Sequence, residues 1–271
     1  MDPASQIAVF DRALVRAHRD RAAAGFTAHN ALFEETAAHL IERLGDIKQE
    51  FRAVLDLGAH AGNLARHFIE REIPFVVTAD LSEKMLRNAP CPCVAADEEF
   101  LPFAPGSFDL IVSNLSLHWV NDLPGALLQI KNALRPEGLF LAALVGGNSL
   151  FELRACLMEA ELLVTGGASP RLSPAVELQT ASALLQRAGF ALPVADEEKI
   201  TIEYADAFAL MHDLRGMGET GAHLQRLRYP TRRRVFHEAA RLYRARFADA
   251  RGHIPASFEI LFLHGAGETR G

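Results

Sequence analysis

Hydrophobic residues recur at helical spacing near the start of the chain. Phe33 and Leu44 share one face of a predicted helix that Asn30 is expected to cap and Gly45 to end. An earlier amphipathic helix is predicted over residues 9–24. Its arginines are expected on the polar side, facing water: Arg12, Arg16, Arg19 and Arg21.

From residue 51 onward, short apolar runs alternate with helical patterns. The runs predicted as strands are 53–57, 75–79, 93–96, 108–113 and 139–145. Helices are predicted between them at 64–70, 82–88 and 124–134, the second capped by Ser82. Strands that are apolar throughout indicate burial on both faces. The pattern therefore predicts an α/β fold with a mostly parallel sheet and helices on both faces.

The C-terminal part is expected to complete this sheet. A helix over 173–188 should end at Gly189, and strands are predicted at 190–195, 199–204 and 257–264. Thr231 is expected to cap a strong helix that reaches Phe247. The predicted organisation is a helical cap over 1–48, a ligand-binding core over 49–147 and an acceptor region over 148–271.

Composition and charge exclude several classes of protein. Of 271 residues, 49% are hydrophobic and 23% charged, which is typical of a globular protein. The formal net charge of -6 provides no global field that would attract nucleic acid. No apolar run approaches the roughly 20 residues of a membrane helix, so no stable membrane insertion is expected.

The N-terminus and the cysteines bear on location. The first residues show neither a secretory signal nor a transit-peptide pattern, so a cytoplasmic location is expected. Cys91, Cys93 and Cys156 lack the spacing of a zinc site and are expected to be reduced thiols.

The most informative segment, residues 54–62, joins a strand to a helix through a glycine-bearing turn. Gly58 and Gly62 allow positive φ and a close backbone approach to a ligand. Asp56 is expected either to serve the ligand or to hold the turn. Asp80 and Asp97 end the next two strands, where ligands of open α/β sheets bind. An acid at Asp80 is placed to accept hydrogen bonds from a ribose, and Asp97 lies near an adenine edge.

The glycine spacing does not match the dinucleotide-binding fingerprint. It resembles motif I of class I S-adenosylmethionine-dependent methyltransferases, and segments 80–86, 108–113 and 134–139 follow in that family's order. Further runs resemble the mitochondrial complex I assembly factor 5 family and its bacterial relatives: 96–103, 115–124, 149–154, 216–219 and 254–258. The broader relatives include the malonyl-carrier-protein methyltransferases of the biotin pathway.

The resemblance implies a Rossmann-like class I methyltransferase fold, a seven-stranded sheet and S-adenosylmethionine as cofactor. It also implies an enzyme that acts on a protein and modifies an arginine of an iron–sulfur subunit of complex I, by hydroxylation on a methyltransferase fold. Two alternatives remain: an O-methyltransferase acting on a carrier protein or small molecule, and a non-catalytic assembly chaperone. The residues expected at the cofactor are Asp56, Gly58, His60, Gly62, Asp80, Leu81, Asp97, Glu98 and Ser113.

His60 is a departure from the family pattern, because motif I normally has a glycine at this position. Its side chain could turn outward and leave the cofactor site free, or turn inward and crowd it or add a hydrogen bond. Glu98 and Glu99, beside Asp97, are expected to be solvated.

Residues after the fourth and fifth strands are candidates for the acceptor side. His118 could act as a general base beside Asn114, although the segment could instead serve to pack Trp119 into the core. Gly146, Gly147 and Asn148 are expected to line the acceptor pocket, or to form a plain turn. Residues 216–219 contain two glycines that are costly in a helix, so a loop that closes the pocket is predicted.

Two further groups of residues are candidates for a metal site and for a docking surface. His18 and Asp20 have the H-x-D spacing of a non-haem iron site, but residues two apart diverge on a helix, so no metal is predicted. The arginines between Arg226 and Arg234 are interpreted either as a solvated face or as a docking site for an acidic protein partner.

Overall fold

The computed structural model describes residues 8–90, 92–167, 169, 176–226 and 230–267. Seven strands lie in these ranges: β1 (Ala53–Leu57), β2 (Phe75–Asp80), β3 (Cys93–Ala95), β4 (Phe108–Asn114), β5 (Leu134–Val145), β6 (Ala191–Tyr204) and β7 (Ile254–Ala266). They form one sheet in the order β3-β2-β1-β4-β5-β7-β6. The pairs from β3 to β5 are parallel, and β7 runs antiparallel to both of its neighbours. This confirms the predicted α/β class and the class I methyltransferase topology.

The described residues also contain nine α-helices: α1 (Arg12–Ala22), α2 (Ala31–Gly45), α3 (Asn63–Glu70), α4 (Glu83–Leu86), α5 (Leu123–Ala133), α6 (Phe151–Thr165), α7 (Leu178–Ala188), α8 (Ala207–Met217) and α9 (Arg233–Phe247). Two short 3-10 turns occupy Phe26–Ala28 and Leu117–Trp119. Within the described ranges, no helix has the length and apolar character needed to cross a membrane.

Each face of the sheet carries its own apolar core. Along β1, Val54 packs with α2 and α3 on one face, while Leu55 and Leu57 point to the face covered by α5 and α7. All five residues of β1 are buried. Helices on both faces therefore explain why the strands are apolar throughout.

The C-terminal hairpin differs in detail from the prediction. The expected strands at 190–195 and 199–204 are one continuous strand, β6, paired with β7 along its length. The register shifts between Ala191 and Val194, around Pro193. An edge strand tolerates a proline at such an irregularity.

Three helix predictions also change. Helix α7 begins at Leu178, and residues 173–175 of its predicted start lie outside the described residues. Arg232, rather than Thr231, is the N-cap residue of α9. Helices α6 and α8 were not predicted from the sequence. Helix α8 contains Gly216, which falls in the segment predicted as a loop.

Candidate active site

The turn between β1 and α3 sits at the carboxyl end of the sheet and is held by backbone contacts. Gly58, His60 and Gly62 have φ values of 65°, 49° and 77°. The amide of His60 donates to Oδ2 of Asp80 at 3.0 Å, and the amide of Ser82 donates to Oδ1 of the same carboxylate at 2.7 Å. Asp80 thus links the first turn of the sheet to the second.

Gly58 is required by close packing as well as by its backbone angle. A Cβ added there would lie 2.0 Å from Oγ of Ser116 and 3.2 Å from Oε1 of Glu98. The space that faces the glycine is therefore filled by this chain's own side chains.

The carboxylates at this edge converge on Arg19 of α1. Its Nη1 donates to Asp80 at 3.2 Å and to Glu98 at 2.9 Å, and its Nη2 donates to Ser116 at 2.8 Å. The Ser116 hydroxyl donates in turn to Glu98. Arg19 is only 1% exposed, so a buried charge network stands at the carboxyl ends of β2, β3 and β4.

Ion pairing outweighs desolvation in this network. Burial alone would lower the pKa of Arg19, but Asp80 and Glu98 raise it above its usual range. Burial alone would raise the pKa of Glu98, but Arg19 and Arg12 hold it well below its usual range. These groups are therefore charged and depend on one another.

Arg12 adds a second cation to the same cluster. Its Nη2 donates to Asp97 at 2.6 Å and also to Glu98. Glu98 is fully buried, and the Glu99 carboxylate accepts from the amide of Asn121. The expectation of a solvated side chain was therefore wrong for Glu98, which pairs with two arginines of α1, and Glu99 is half-buried rather than fully solvated.

The predicted polar face of α1 also needs correction. Arg12 and Arg19 lie on the same helical face as the buried Val15 and Ala22, at positions i, i+3, i+7 and i+10. Only charge pairing with the acids of the site makes an arginine acceptable in such a seam.

The chain just before α1 is tied to a segment far along the sequence. Phe10 forms an antiparallel bridge with His223, and the amide of Asp11 donates to the carbonyl of Ala222 at 2.8 Å. Asp11 also caps α1 by accepting from the amide of Leu14. Leu81 packs into the small apolar cluster beneath this segment.

His60 turns inward, and its Nε2 lies 3.3 Å from the carbonyl oxygen of Leu115. Its ring stacks on Phe26 at 5.5 Å between centroids and meets Phe33 edge-on at 4.7 Å. Burial lowers its pKa, and the nearby charge of Arg19 lowers it further. The ring is therefore a neutral packing group beneath α2, and it lines a small cavity with Asp56 and Asn114.

Asp56 is buried inside the sheet and holds the turn. Its Oδ2 accepts from the amide of Ala65 in α3 at 3.1 Å. Burial raises its pKa to about 7. Ser113, at the end of β4, is fully buried, and its Oγ has no hydrogen-bond partner within the part of the chain that the structure describes.

His118 and Glu219 form a buried pair on the acceptor side. Nε2 of His118 lies 3.0 Å from Oε2 of Glu219, and the indole of Trp119 donates to the same oxygen at 2.9 Å. Burial alone would raise the pKa of Glu219, but the charge and hydrogen bond of His118 lower it. Nδ1 of His118 has no hydrogen-bond partner among the described residues.

Residues 216–219 form the end of α8 rather than the predicted loop. Gly216 and Met217 are helical, and Gly218 ends the helix with a φ of 86°. A Cβ at Gly216 would lie 2.2 Å from the ring of His29, so the glycine permits a close contact within the helix. The segment nevertheless delivers Glu219 to the site.

The remaining acceptor-side residues fall into two places. Asn114 anchors α2, because its amide donates to the carbonyl of Phe33 and its oxygen accepts from Thr36. Gly146 and Asn148 lie beside Glu259, and Gly147 faces Glu177. Gly147 and Asn148 line a cleft of about 520 Å³ beyond β5. That cleft shares no lining residue with the cavity at His60.

The fold separates the members of two groups considered above, the His18 and Asp20 pair and the arginines between Arg226 and Arg234. His18 faces Thr220, whereas Asp20 accepts from Ser82 on the other side of α1. Arg226 pairs with Asp11 and belongs to the attachment of α1. The exposed arginines at the start of α9 are Arg232, Arg233 and Arg234.

Among the cysteines, Cys93 is exposed and Cys156 buried, and Cys91 lies outside the described residues.

The acids expected to hold S-adenosylmethionine therefore come together, but within the described residues their carboxylates are paired with arginines of α1. Asp80 and Glu98 bind Arg19, Asp97 binds Arg12, and Ser116 fills the space that faces Gly58. The chemistry of the residues suits the cofactor, whereas the closed packing does not.

Sequence reasoning missed four members of the site: Arg12, Arg19, Ser116 and Glu219. The heptad spacing of Arg12 and Arg19 around Val15 was the available signal, since it places both in an apolar seam. Nothing local to Glu219 showed that its carboxylate would meet His118, from which 101 residues separate it.

Comparison with known proteins defines the family. A family model described as "Methyltransferase domain" matches residues 55–142. Human "Arginine-hydroxylase NDUFAF5, mitochondrial" is 40% identical over 264 residues, covering 95% of this chain and 76% of the relative. A malonyl-[acyl-carrier protein] O-methyltransferase of Halorhodospira halophila is 34% identical over 268 residues, covering 95% of this chain and 88% of the relative.

Solved structures agree on the fold. Phosphoethanolamine N-methyltransferase 2 of Haemonchus contortus, in complex with S-adenosyl-L-methionine, aligns with a TM-score of 0.57 at 16% identity. The alignment covers 94% of this chain and 60% of that one. With its strand order and its extensive sequence match, the chain belongs to the S-adenosylmethionine-dependent methyltransferase family that includes NDUFAF5 and the malonyl-carrier methyltransferases.

Proposed function

We propose that this chain is an S-adenosylmethionine-dependent enzyme that modifies an arginine of a protein during assembly of respiratory complex I. The observation that carries this proposal is the 40% identity to human NDUFAF5 across 95% of the chain. The match includes the C-terminal region, which supplies Glu219 to the site. A cytoplasmic location remains part of the proposal.

The cofactor is assigned to the carboxyl ends of β1 to β4. Asp80, Asp97 and Glu98 are the acceptors for its ribose and adenine, and Gly58 and Gly62 shape the turn beneath it. The rest of the proposed set is Asp56, His60, Leu81 and Ser113. S-adenosylmethionine supplies an activated methyl group when bound.

On the acceptor side, His118 is the proposed catalytic residue. Its imidazole is oriented by Glu219, so that Nδ1 is the nitrogen left to receive a proton from the acceptor. Asn114 and the cleft at Gly146, Gly147 and Asn148 form the proposed acceptor side. The division of the chain into a helical cap over 1–48, a ligand-binding core over 49–147 and an acceptor region over 148–271 is also part of the proposal.

A second function is favoured by a specific observation. The 34% identity to a malonyl-carrier methyltransferase also spans 95% of the chain, so transfer of a methyl group to a carrier-bound carboxylate is the alternative. A non-catalytic chaperone is the third outcome that an assay must separate.

The experiment offers the purified chain S-adenosylmethionine and one of two acceptors: the iron–sulfur subunit of complex I or a malonylated carrier protein. The reactions run in air with an added reductant, because hydroxylation takes its oxygen and electrons from these sources and not from S-adenosylmethionine. Mass spectrometry of each acceptor then distinguishes an added methyl group from an added oxygen. Modification of the subunit at an arginine supports the proposal. Methylation of the carrier alone replaces it with the alternative, and binding of the subunit without modification indicates a chaperone.

A further inference from the structure

We infer that α1 is a gate over the cofactor site, with Arg19 as its latch. In the closed form the Arg19 guanidinium takes up the polar groups meant for S-adenosylmethionine, and α1 must lift before the cofactor enters. This inference rests on the proposed function, because it concerns the same site.

The first argument is steric. Arg19 contacts the carboxylates of Asp80 and Glu98 and the hydroxyl of Ser116 from one guanidinium. Ser116 in turn stands so close to Gly58 that a single added Cβ would collide with it. While the network is intact, no ligand can occupy the side of Gly58 that faces Ser116.

The second argument is electrostatic. Asp80 and Glu98 are fully buried, and a buried carboxylate without a partner is strongly unfavourable. In the closed form Arg19 pairs with both carboxylates, whereas in the open form a bound cofactor or water must hydrogen-bond to them. Nε of Arg19 is itself buried without a hydrogen-bond partner within the described residues, so the latch is incompletely satisfied.

The third argument is the limited attachment of α1. The helix has 11 residues and packs chiefly against α4 and α8. Its outer contacts are polar, such as Arg16 with Glu83 and Asp20 with Ser82. At its start, Phe10 packs on Trp119 with 5.3 Å between ring centroids. Ala22 also reaches the main core and Asp11 is tied to Ala222, but α1 supplies no strand, so it can separate without breaking a strand pair of the sheet.

The chain carries its own reporter of this motion. Trp119 is the single tryptophan and is 4% exposed. Its ring touches Phe10, and its carbonyl accepts from Nη1 of Arg12 at 3.2 Å. Lifting of α1 uncovers this indole and shifts its emission to longer wavelength.

The test compares the full-length wild type with Arg19→Gln and with the matched control Arg16→Gln. The control removes an exposed arginine from the same helix, whose ion pair with Glu83 lies in solvent and contributes little to the attachment of α1. Tryptophan emission is recorded with and without S-adenosylmethionine, and affinity is measured by calorimetry. S-adenosylmethionine is expected to red-shift the emission of wild type and Arg16→Gln.

Arg19→Gln is expected to be red-shifted without the cofactor and to bind it at least about tenfold more tightly, because the closed form no longer competes. Should that variant fail to fold, Phe10→Ala loosens α1 without removing a buried charge, and it too should bind more tightly than wild type.

Two results overturn the gate. In one, wild type binds S-adenosylmethionine with unchanged emission, and Arg19→Gln or Phe10→Ala binds no more tightly. Arg19 would then be a fixed part of an open site. In the other, none of the proteins binds S-adenosylmethionine, which defeats the proposed function and the gate with it.

Discussion

Nη1 of Arg19 lies 3.2 Å from Oδ2 of Asp80, and these side chains are 1% and 0% exposed. The same carboxylate accepts from the amides of His60 and Ser82. Asp80 therefore fixes two turns of the sheet and also receives the first helix. Any substitution of Asp80 acts on all of these contacts.

Asp80→Asn should weaken binding of S-adenosylmethionine by about 1 to 3 kcal/mol, because it removes a charge-assisted hydrogen bond while an oxygen remains for one amide. Calorimetry measures the affinity, and a thermal melt of the same sample checks that the variant is folded. Unchanged affinity in a folded variant would remove Asp80 from the site.

Asp56 makes stability depend on pH in a defined direction. Its pKa is raised to about 7 in the folded protein, above its ordinary value of 3.8. Ionisation therefore opposes folding, and stability is expected to fall as pH rises from about 4 to about 7, by an amount on the order of 4 kcal/mol.

Asp56→Asn should remove this pH dependence while still accepting from the amide of Ala65. Urea unfolding at several pH values, with wild type alongside, measures the effect. The prediction is wrong if both proteins lose the same stability between pH 4 and pH 7.

His118→Asn should lower kcat by roughly 10²- to 10⁴-fold if the imidazole moves a proton, with little change in cofactor affinity. Glu219→Gln should lower kcat less, because an amide oxygen can still accept from Trp119 or His118. Acceptor-modification kinetics with separate values of kcat and KM provide the measurement. If kcat is retained in His118→Asn, the histidine serves only to pack Trp119.

His60→Gly should reduce stability by about 1 to 3 kcal/mol, since it removes a ring packed between Phe26 and Phe33. Relief of the positive φ returns part of this loss. Cofactor affinity should change little, because the ring hydrogen bond goes to the carbonyl of Leu115 and glycine keeps the backbone amide that donates to Asp80. A denaturant melt and a binding titration test both statements, and a large gain in affinity would show that the ring obstructs the site.

The arginines at the start of α9 provide a test of partner docking. Arg232, Arg233 and Arg234 are exposed at the positive end of the helix dipole, so replacing all three with Gln should leave the melting temperature unchanged or slightly higher. Association with the protein acceptor proposed above should slow, and the wild-type rate should fall as salt rises. Equal rates for both proteins would identify these arginines as a solvated surface.

The parts of the fold that were predictable follow from local chemistry. The β1 strand at 53–57 and the Ser82 cap were assigned correctly, because continuous apolar runs and capping hydroxyls act over a few residues. The motif at Gly58 and Gly62 indicated the topology of the whole sheet, since its family resemblance extended through later segments.

What could not be predicted depended on distant contacts. The sequence around Glu98 predicts a surface residue, whereas its burial depends on ion pairs with Arg12 and Arg19, which are distant in the sequence. His60 could not be oriented from its neighbours, because Phe26 and Phe33 reach it from the N-terminal cap. Gly216 suggested a loop, whereas its contact with His29 explains a glycine inside a helix.

The bridge between Phe10 and His223 has a consequence for the order of events during synthesis. The N-terminal segment is made first, but its docking partners at Ala222 and His223 leave the ribosome only after β1 to β5 have been made. Because a domain generally folds as a unit, the docking of α1 waits for these later residues. The first helix to be made is therefore among the last to gain its final attachment.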